Sequence, residues 1–229
     1  EMCIRDSLDG LRVGVIGTGA TGVQVIQEVA KVAGHLTVFQ RSPNWCAPLH
    51  NAPITPDEQR RIRADQQEIL RQCNESFGGF IHDTIRSKAT EVTAQERLAF
   101  WEQRYDEPGF GIWFAKYRDI LVDPVANAMM SEFMAGKIAE RVADPDLANR
   151  LTPTDHGFGT RRVPMETGYY EVYNQANVDL VDLRDTPIEK IGERGVVTSA
   201  REHALDVLIY ATGFDAVTGA FDRIAFSGV

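Results

Sequence analysis

The chain has 229 residues, 43% of them hydrophobic and 25% charged, which fits an ordinary soluble protein with one large domain or two small ones. With 24 Lys+Arg against 33 Asp+Glu, its net charge of −9 argues against nucleic acid or a membrane surface as the main partner, since both are met with basic patches; a small anionic ligand at a local basic site stays open. The three cysteines and five histidines show no CxxC or metal-ligand spacing and no apolar run is long enough to span a bilayer, so we expect a cytoplasmic protein without a metal.

The first seven residues, EMCIRDS, lack the apolar core of a signal peptide. From Met2 to Ser7 they match the codons ATG TGT ATA AGA GAC AG of a sequencing-library adaptor. The expectation is an adaptor-derived heptad at 1–7, placed on a chain whose natural beginning lies upstream.

Residues 11–17, LRVGVIG, form a short apolar run closed by glycine and predict a buried strand. Val23, Ile26, Val29 and Ala30 then follow at helical spacing, with Gly34 as the expected stop. HLTVFQ predicts a second strand, so the segment reads as a βαβ unit with parallel strands.

Between strand and helix stands Gly17-Thr18-Gly19-Ala20-Thr21-Gly22, a GxGxxG. The pattern is weak alone, but here it closes a strand and opens a helix. Gly17 would permit the tight turn, Gly19 the approach of a diphosphate to the backbone, and Gly22 close helix–strand packing. Free N–H groups at the helix start then favour the anion. The discriminating position is the end of the second strand, about 20 residues on, where a carboxylate would select NAD. This sequence has Arg41 and Ser42 there, which favours NADP.

From residue 55 to 151 strand character is low. Thr55 with Glu58 and Thr93 with Glu96 read as capping boxes, and Asp123-Pro124 and Asp144-Pro145 as cap-then-proline starts. Val125, Met129 and Phe133, beside Met130, Met134 and Ile138, predict a broad apolar helix face whose methionines fill a core. Strands return after Pro164: VDLVDL, PIEKI and GVVTS, with a hairpin at 192–195, and LDVLIYATG as a central parallel strand.

The expected fold class is therefore α/β, a Rossmann-like NADP-binding domain with a mostly helical insertion. Its expected parts are 8–54, the helical insertion 55–151, the second part 152–204, and a returning segment 205–229.

Arg161 and Arg162 stand side by side in GFGTRRVPMETGYY. On residues alone they fit either a solvated charged pair or an anion site. The glycine-flanked loop, the following strands and the backbone restriction imposed by Pro164 favour the second.

Four segments in order, RVGVIGTGATGVQ, VFQRSPNW, HGFGTRRVPMETGYYEVYN and IYATGFDAVTGAFDRI, resemble the flavin-dependent Baeyer–Villiger monooxygenases, a group of class B flavoprotein monooxygenases. The branch acting on phenylacetone-like and steroid-like ketones is the most similar, and the resemblance covers nearly all of 8–229. It implies that NADPH reduces FAD and that one oxygen atom of O₂ is inserted beside the carbonyl of a small ketone, giving an ester or lactone. Gly17, Thr18, Gly19, Ala20, Thr21, Gly22, Val23 and Gln24 would wrap the NADP diphosphate. Arg41, Ser42 and Arg161 would meet the 2′-phosphate. Arg162 would be the catalytic arginine that stabilises the peroxyflavin anion, and Ala211, Thr212, Gly213, Phe214 and Asp215 would lead back toward the flavin. The family's FAD-type glycine turn and its Phe/Gly/His/Trp-Pro fingerprint have no counterpart here, so the resemblance implies a fragment with the FAD domain largely missing. The alternatives are an N- or S-oxidising relative and a non-catalytic NADP-binding module.

Overall fold

The structure, a computed structural model, describes residues 7–76, 78–82, 84–114, 116–214, 219, 224 and 225. Six residues of the N-terminal heptad and the expected site residue Asp215 lie outside them.

Four parallel strands form the main sheet in the order β5-β2-β1-β9: β1 (Arg12–Ile16), β2 (His35–Gln40), β5 (Val178–Asp182) and β9 (Val207–Tyr210). Period-two alternation divides their side chains between two faces. Val13, Val15, Leu36 and Val38 are fully buried in a core that also holds Val23, Ile26 and Val29 of helix α1 (Ala20–Val29). The opposite face carries Phe39, Ile16 and Leu208 and packs on Val196 of an antiparallel meander and on Leu205 just after it. That meander comprises β6 (Ile188–Gly192), β7 (Gly195–Thr198) and β8 (Glu202–Ala204), with the expected hairpin between β6 and β7. Each fully buried valine or leucine contributes about 1.5–3 kcal/mol, so the three layers hold the sheet from both sides.

Two strand-and-helix expectations need correction. Helix α1 ends at Val29, well before Gly34. Gly34 serves a close approach instead, since a Cβ there would stand 2.4 Å from the Gly10 carbonyl oxygen. Strand β9 is at the edge of the described sheet and not at its centre: it pairs with β1 alone, and Tyr210 is exposed. An apolar run records that a strand has covered faces, not how many neighbours it pairs with.

The stretch between β3 (Ala47–Pro48) and β4 (Met165–Glu166), two short strands that pair with each other, contains α2 (Pro56–Ala64), α3 (Gln66–Glu75), α4 (Ala94–Asp106), α5 (Gly111–Phe114), α6 (Pro124–Arg141) and α7 (Pro145–Leu151). Both capping boxes form, and Asp123 and Asp144 each accept two backbone N–H groups at a helix start. In α6 the buried row is Ala126, Met130, Met134 and Ile138. Val125 does not join the face; it is exposed, while Met129 and Phe133 are half-buried beside the core.

Arg141, the last residue of α6, ties this region to the later chain. It forms a two-pronged pair with Glu166, Nη1–Oε1 at 2.7 Å and Nη2–Oε2 at 3.0 Å, and donates through Nε to Glu171 at 2.5 Å. Nη1 also donates to the Tyr105 hydroxyl at 3.0 Å, and the guanidinium lies 5.1 Å from the Tyr170 ring centroid. Burial alone would lower the Arg141 pKa, but the hydrogen bonds and charges of Glu171 and Glu166 outweigh it and raise it.

Candidate functional site: a cleft at the carboxyl ends of the parallel strands

The parallel strands end at Ile16, Gln40, Asp182 and Tyr210, and the segments that leave them enclose a cleft of about 390 Å³. Gly17, Thr18 and Gly19 follow β1; Arg41, Ser42, Pro43 and Asn44 follow β2. Leu183 follows β5, and Ala211, Thr212 and Gly213 follow β9. Arg161 closes the rim from the loop before β4, while Ile16 and Phe39 supply apolar wall. Ligands of open parallel sheets bind at this end.

The glycine turn has a defined mechanical basis. Gly17 has φ +105°, and a Cβ on it would lie 2.4 Å from the Ala211 carbonyl oxygen. A Cβ on Gly22 would come within 2.1 Å of the Gly17 oxygen. Backbone bonds lock the turn between its neighbours, Gly17 N–H to Phe39 O at 3.0 Å and Ala211 N–H to Ile16 O at 2.9 Å. The Thr18 hydroxyl donates to the Ser42 carbonyl at 2.8 Å, fastening the turn to the end of β2.

Gly19 is the N-cap of α1, and no side chain caps that helix; its first turn also carries no acidic residue. Helices α2, α4, α6 and α7 are all capped by threonine or aspartate side chains. The open N–H groups and positive end of α1 therefore remain available to an anion. A Cβ added at Gly19 would meet nothing within 4 Å.

Of the residues expected at the site, Gly17, Thr18, Gly19, Arg41, Ser42, Arg161, Ala211, Thr212 and Gly213 line the cleft. Ala20, Thr21, Gly22 and Gln24 form the first turns of α1 behind its lining. Val23 belongs to the core: its side chain is fully buried and its N–H is bonded to Gly19 O at 2.9 Å, so it has no group to offer. Phe214 is 90% exposed and outside the lining.

The two adjacent arginines part company. Arg161 lines the cleft and donates through Nη2 to Asp155 Oδ2 at 3.0 Å. Arg162 does not line it; its side chain is exposed and has no ion-pair partner among the described residues, while its carbonyl accepts from Asn44 Nδ2 at 3.5 Å. Arg41 is likewise exposed without an ion-pair partner among the described residues. The rim thus presents two guanidinium groups, from Arg41 and Arg161, and no carboxylate among its lining residues.

Asn44, Pro43 and Leu183 also line the cleft but were not expected there. Asn44 and Pro43 sit in the same post-strand loop as Arg41, and Leu183 directly follows the last residue of β5. The rule that ligands gather where parallel strands end would have pointed to all three. Among the described residues no group of three or more His, Cys, Asp or Glu is arranged to hold a metal, and no helix is long and apolar enough to cross a membrane.

No protein-family model matches the chain. Among curated proteins it is 48% identical over 219 residues to 2-oxo-Delta(3)-4,5,5-trimethylcyclopentenylacetyl-CoA monooxygenase of Pseudomonas putida, covering 96% of this chain and 40% of that protein. It is 40% identical to cyclopentanone 1,2-monooxygenase of a Comamonas strain, again over 96% of this chain and 40% of the relative. Phenazine N-monooxygenase PhzNO1 of Lysobacter antibioticus is 38% identical, over 97% of this chain and 41% of the relative. Among solved structures, OTEMO in complex with FAD and NADP superposes with a TM-score of 0.90 at 48% identity, over 95% of this chain and 40% of that one. Oxidized steroid monooxygenase bound to NADP gives 0.90 at 43% identity, over 95% and 41%. The chain thus spans about two fifths of the length of the relatives it matches. Over almost all of its own length, it is similar to Baeyer–Villiger and related flavin monooxygenases.

Proposed function

We propose that the chain is the NADP-binding section of an NADPH- and FAD-dependent Baeyer–Villiger monooxygenase, which uses O₂ to convert a small ketone to an ester or lactone. One observation carries the reading. A strand-end cleft joins an uncapped helix start at a glycine turn to a rim with two guanidinium groups, in a chain homologous to structures holding FAD and NADP.

The fit to NADP is chemical. The α1 terminus offers backbone donors and a positive dipole to the diphosphate, which Gly19, lacking a side chain, lets come close. Arg41 and Arg161 offer planar donors to the 2′-phosphate. A carboxylate in their place would instead hold the ribose hydroxyl of NAD. FAD, when bound by the enzyme, supplies the oxygen chemistry. On this chain Arg162, exposed and without an ion-pair partner among the described residues, would offer its positive charge to an anion that develops during oxygen transfer once the flavin-bearing part of the enzyme covers it.

The similarity to PhzNO1 favours a second reading, oxidation of nitrogen by the same cofactor pair. A panel of ketones and aromatic amines with the enzyme containing this chain separates the two. Ester formation that depends on NADPH and O₂ supports the first reading; N-oxidation without ester formation replaces it.

A further inference from the structure

Arg161 is not held by the cleft alone. Its Nη2 donates to Asp155 Oδ2 at 3.0 Å, and Asp155 Oδ1 lies 2.6 Å from Nδ1 of His156. With the carboxylate ionised, Nδ1 is the protonated nitrogen of the ring. The hydrogen bond from His156, opposed by desolvation and aided by the charge of Arg161, keeps the Asp155 carboxyl below the usual range.

His156 is itself anchored. Its side chain is 6% exposed, and its carbonyl accepts the indole N–H of Trp45 at 2.9 Å. Trp45 is buried and lies in the loop that begins with Arg41. The chain of contacts therefore runs from the loop after β2, through His156 and Asp155, to the guanidinium on the opposite rim. It occupies one edge of Arg161 and leaves the remaining N–H donors for a ligand.

We propose that Asp155, backed by His156, is a positioning residue that fixes Arg161 against the 2′-phosphate and so sets the preference for NADP over NAD. This rests on the nucleotide reading above. An aspartate merely competing with the phosphate would be free to swing away; here a buried, anchored histidine holds it from behind. Fixing a long side chain in advance removes part of the entropy lost on binding. The effect is modest because the pair is half exposed: exposed pairs contribute about 0.2–1 kcal/mol, equivalent to a change of up to about fivefold in affinity.

The test is calorimetric titration of the chain with NADP⁺ and NAD⁺, using the parent, Asp155→Ala, Asp155→Asn, His156→Gln, Arg161→Ala and the double variant Asp155→Ala/Arg161→Ala. Circular dichroism and thermal melts check that each is folded; if Asp155→Ala is not, Asp155→Asn carries the comparison. We expect Asp155→Ala to weaken NADP⁺ about two- to fivefold and leave NAD⁺ unchanged, with a smaller loss in His156→Gln. The double variant should bind no more weakly than Arg161→Ala, because Asp155 acts only through that side chain. Unchanged or tighter NADP⁺ binding in the Asp155 variants, or an additive loss in the double variant, overturns the positioning role alone. A parent chain that does not prefer NADP⁺ removes the nucleotide reading and this inference with it.

Discussion

Two glycines of the same turn should fail in opposite ways. Gly17 holds φ +105°, and its Cβ would be forced to 2.4 Å from the Ala211 carbonyl oxygen. Gly17→Ala therefore combines an unfavourable left-handed conformation, about 1–2 kcal/mol, with an overlap of about 1–3 kcal/mol. The expected loss of stability is about 2–5 kcal/mol. Gly19 has φ −74° and ψ −173°, ordinary extended backbone, and open space where a Cβ would stand. Alanine is a poorer N-cap than glycine by several tenths of a kcal/mol, while the stiffer unfolded chain offsets a similar amount. Gly19→Ala should thus change stability by less than about 1 kcal/mol. The new methyl would nonetheless stand where the diphosphate must reach the backbone, so NADP⁺ should bind at least about tenfold more weakly, or about 1.4 kcal/mol. Urea denaturation followed by circular dichroism gives the stabilities, and calorimetric titration gives the affinities. A folded Gly19→Ala chain that binds NADP⁺ within about twofold of the parent would refute the proposed approach of the ligand to this turn. Gly17→Ala as stable as the parent would show instead that the turn is not constrained as described.

Arg141→Ala should be severely destabilising, by about 3–5 kcal/mol, because it leaves the Glu166 carboxylate, which is fully buried, without its partner. Urea midpoints measure this, Arg141→Leu/Glu166→Leu should lose less than the single variant, and a loss below about 1 kcal/mol would contradict the clamp. Arg12 and Asp206 join the starts of β1 and β9, and hydrogen bonds from Arg12 lower the Asp206 pKa from 3.8 to about 2. Because the folded pKa is depressed, the stabilising contribution is complete above about pH 4 and disappears as pH falls through about 2. Asp206→Asn should therefore differ from the parent in thermal midpoint at pH 6 and converge with it near pH 2; a constant gap would exclude the linkage.

The parts of the fold set by neighbouring residues could be read from the sequence. Thr55 with Glu58 and Thr93 with Glu96 cap helices as their spacing predicts, since a capping box is completed within one turn. The β1–α1–β2 unit was legible because a short apolar run closed by glycine gives way to helical spacing across one glycine turn. What escaped is set by partners distant in sequence. The edge position of β9 depends on strand order, and the Arg141 clamp joins residues 25 and 36 positions away. Arg161 and Arg162 show the same limit within the candidate site. Their identities were visible, but the divergence of their side chains depends on Asp155, Asn44 and the cleft wall.

That divergence separates binding from chemistry, and the separation is testable. Arg161 lines the cleft, and Arg162 is outside its lining without an ion-pair partner among the described residues. A hydrogen bond to a charged group contributes about 1.5–3 kcal/mol, and the 54% exposure of Arg161 places it at the lower end. Arg161→Ala should weaken NADP⁺ by about tenfold while leaving NAD⁺ unchanged. Arg162→Ala should leave both affinities within about twofold, because its side chain is not among those lining the cleft. In the enzyme containing this chain, the same Arg162→Ala change should preserve NADPH oxidation but abolish ester formation, read by gas chromatography of the products. If Arg162→Ala weakens NADP⁺ as much as Arg161→Ala does, both arginines serve the nucleotide and the oxygen-transfer role has no residue on this chain. If ester formation persists at the parent rate, the positive charge at Arg162 is not what stabilises the reacting anion.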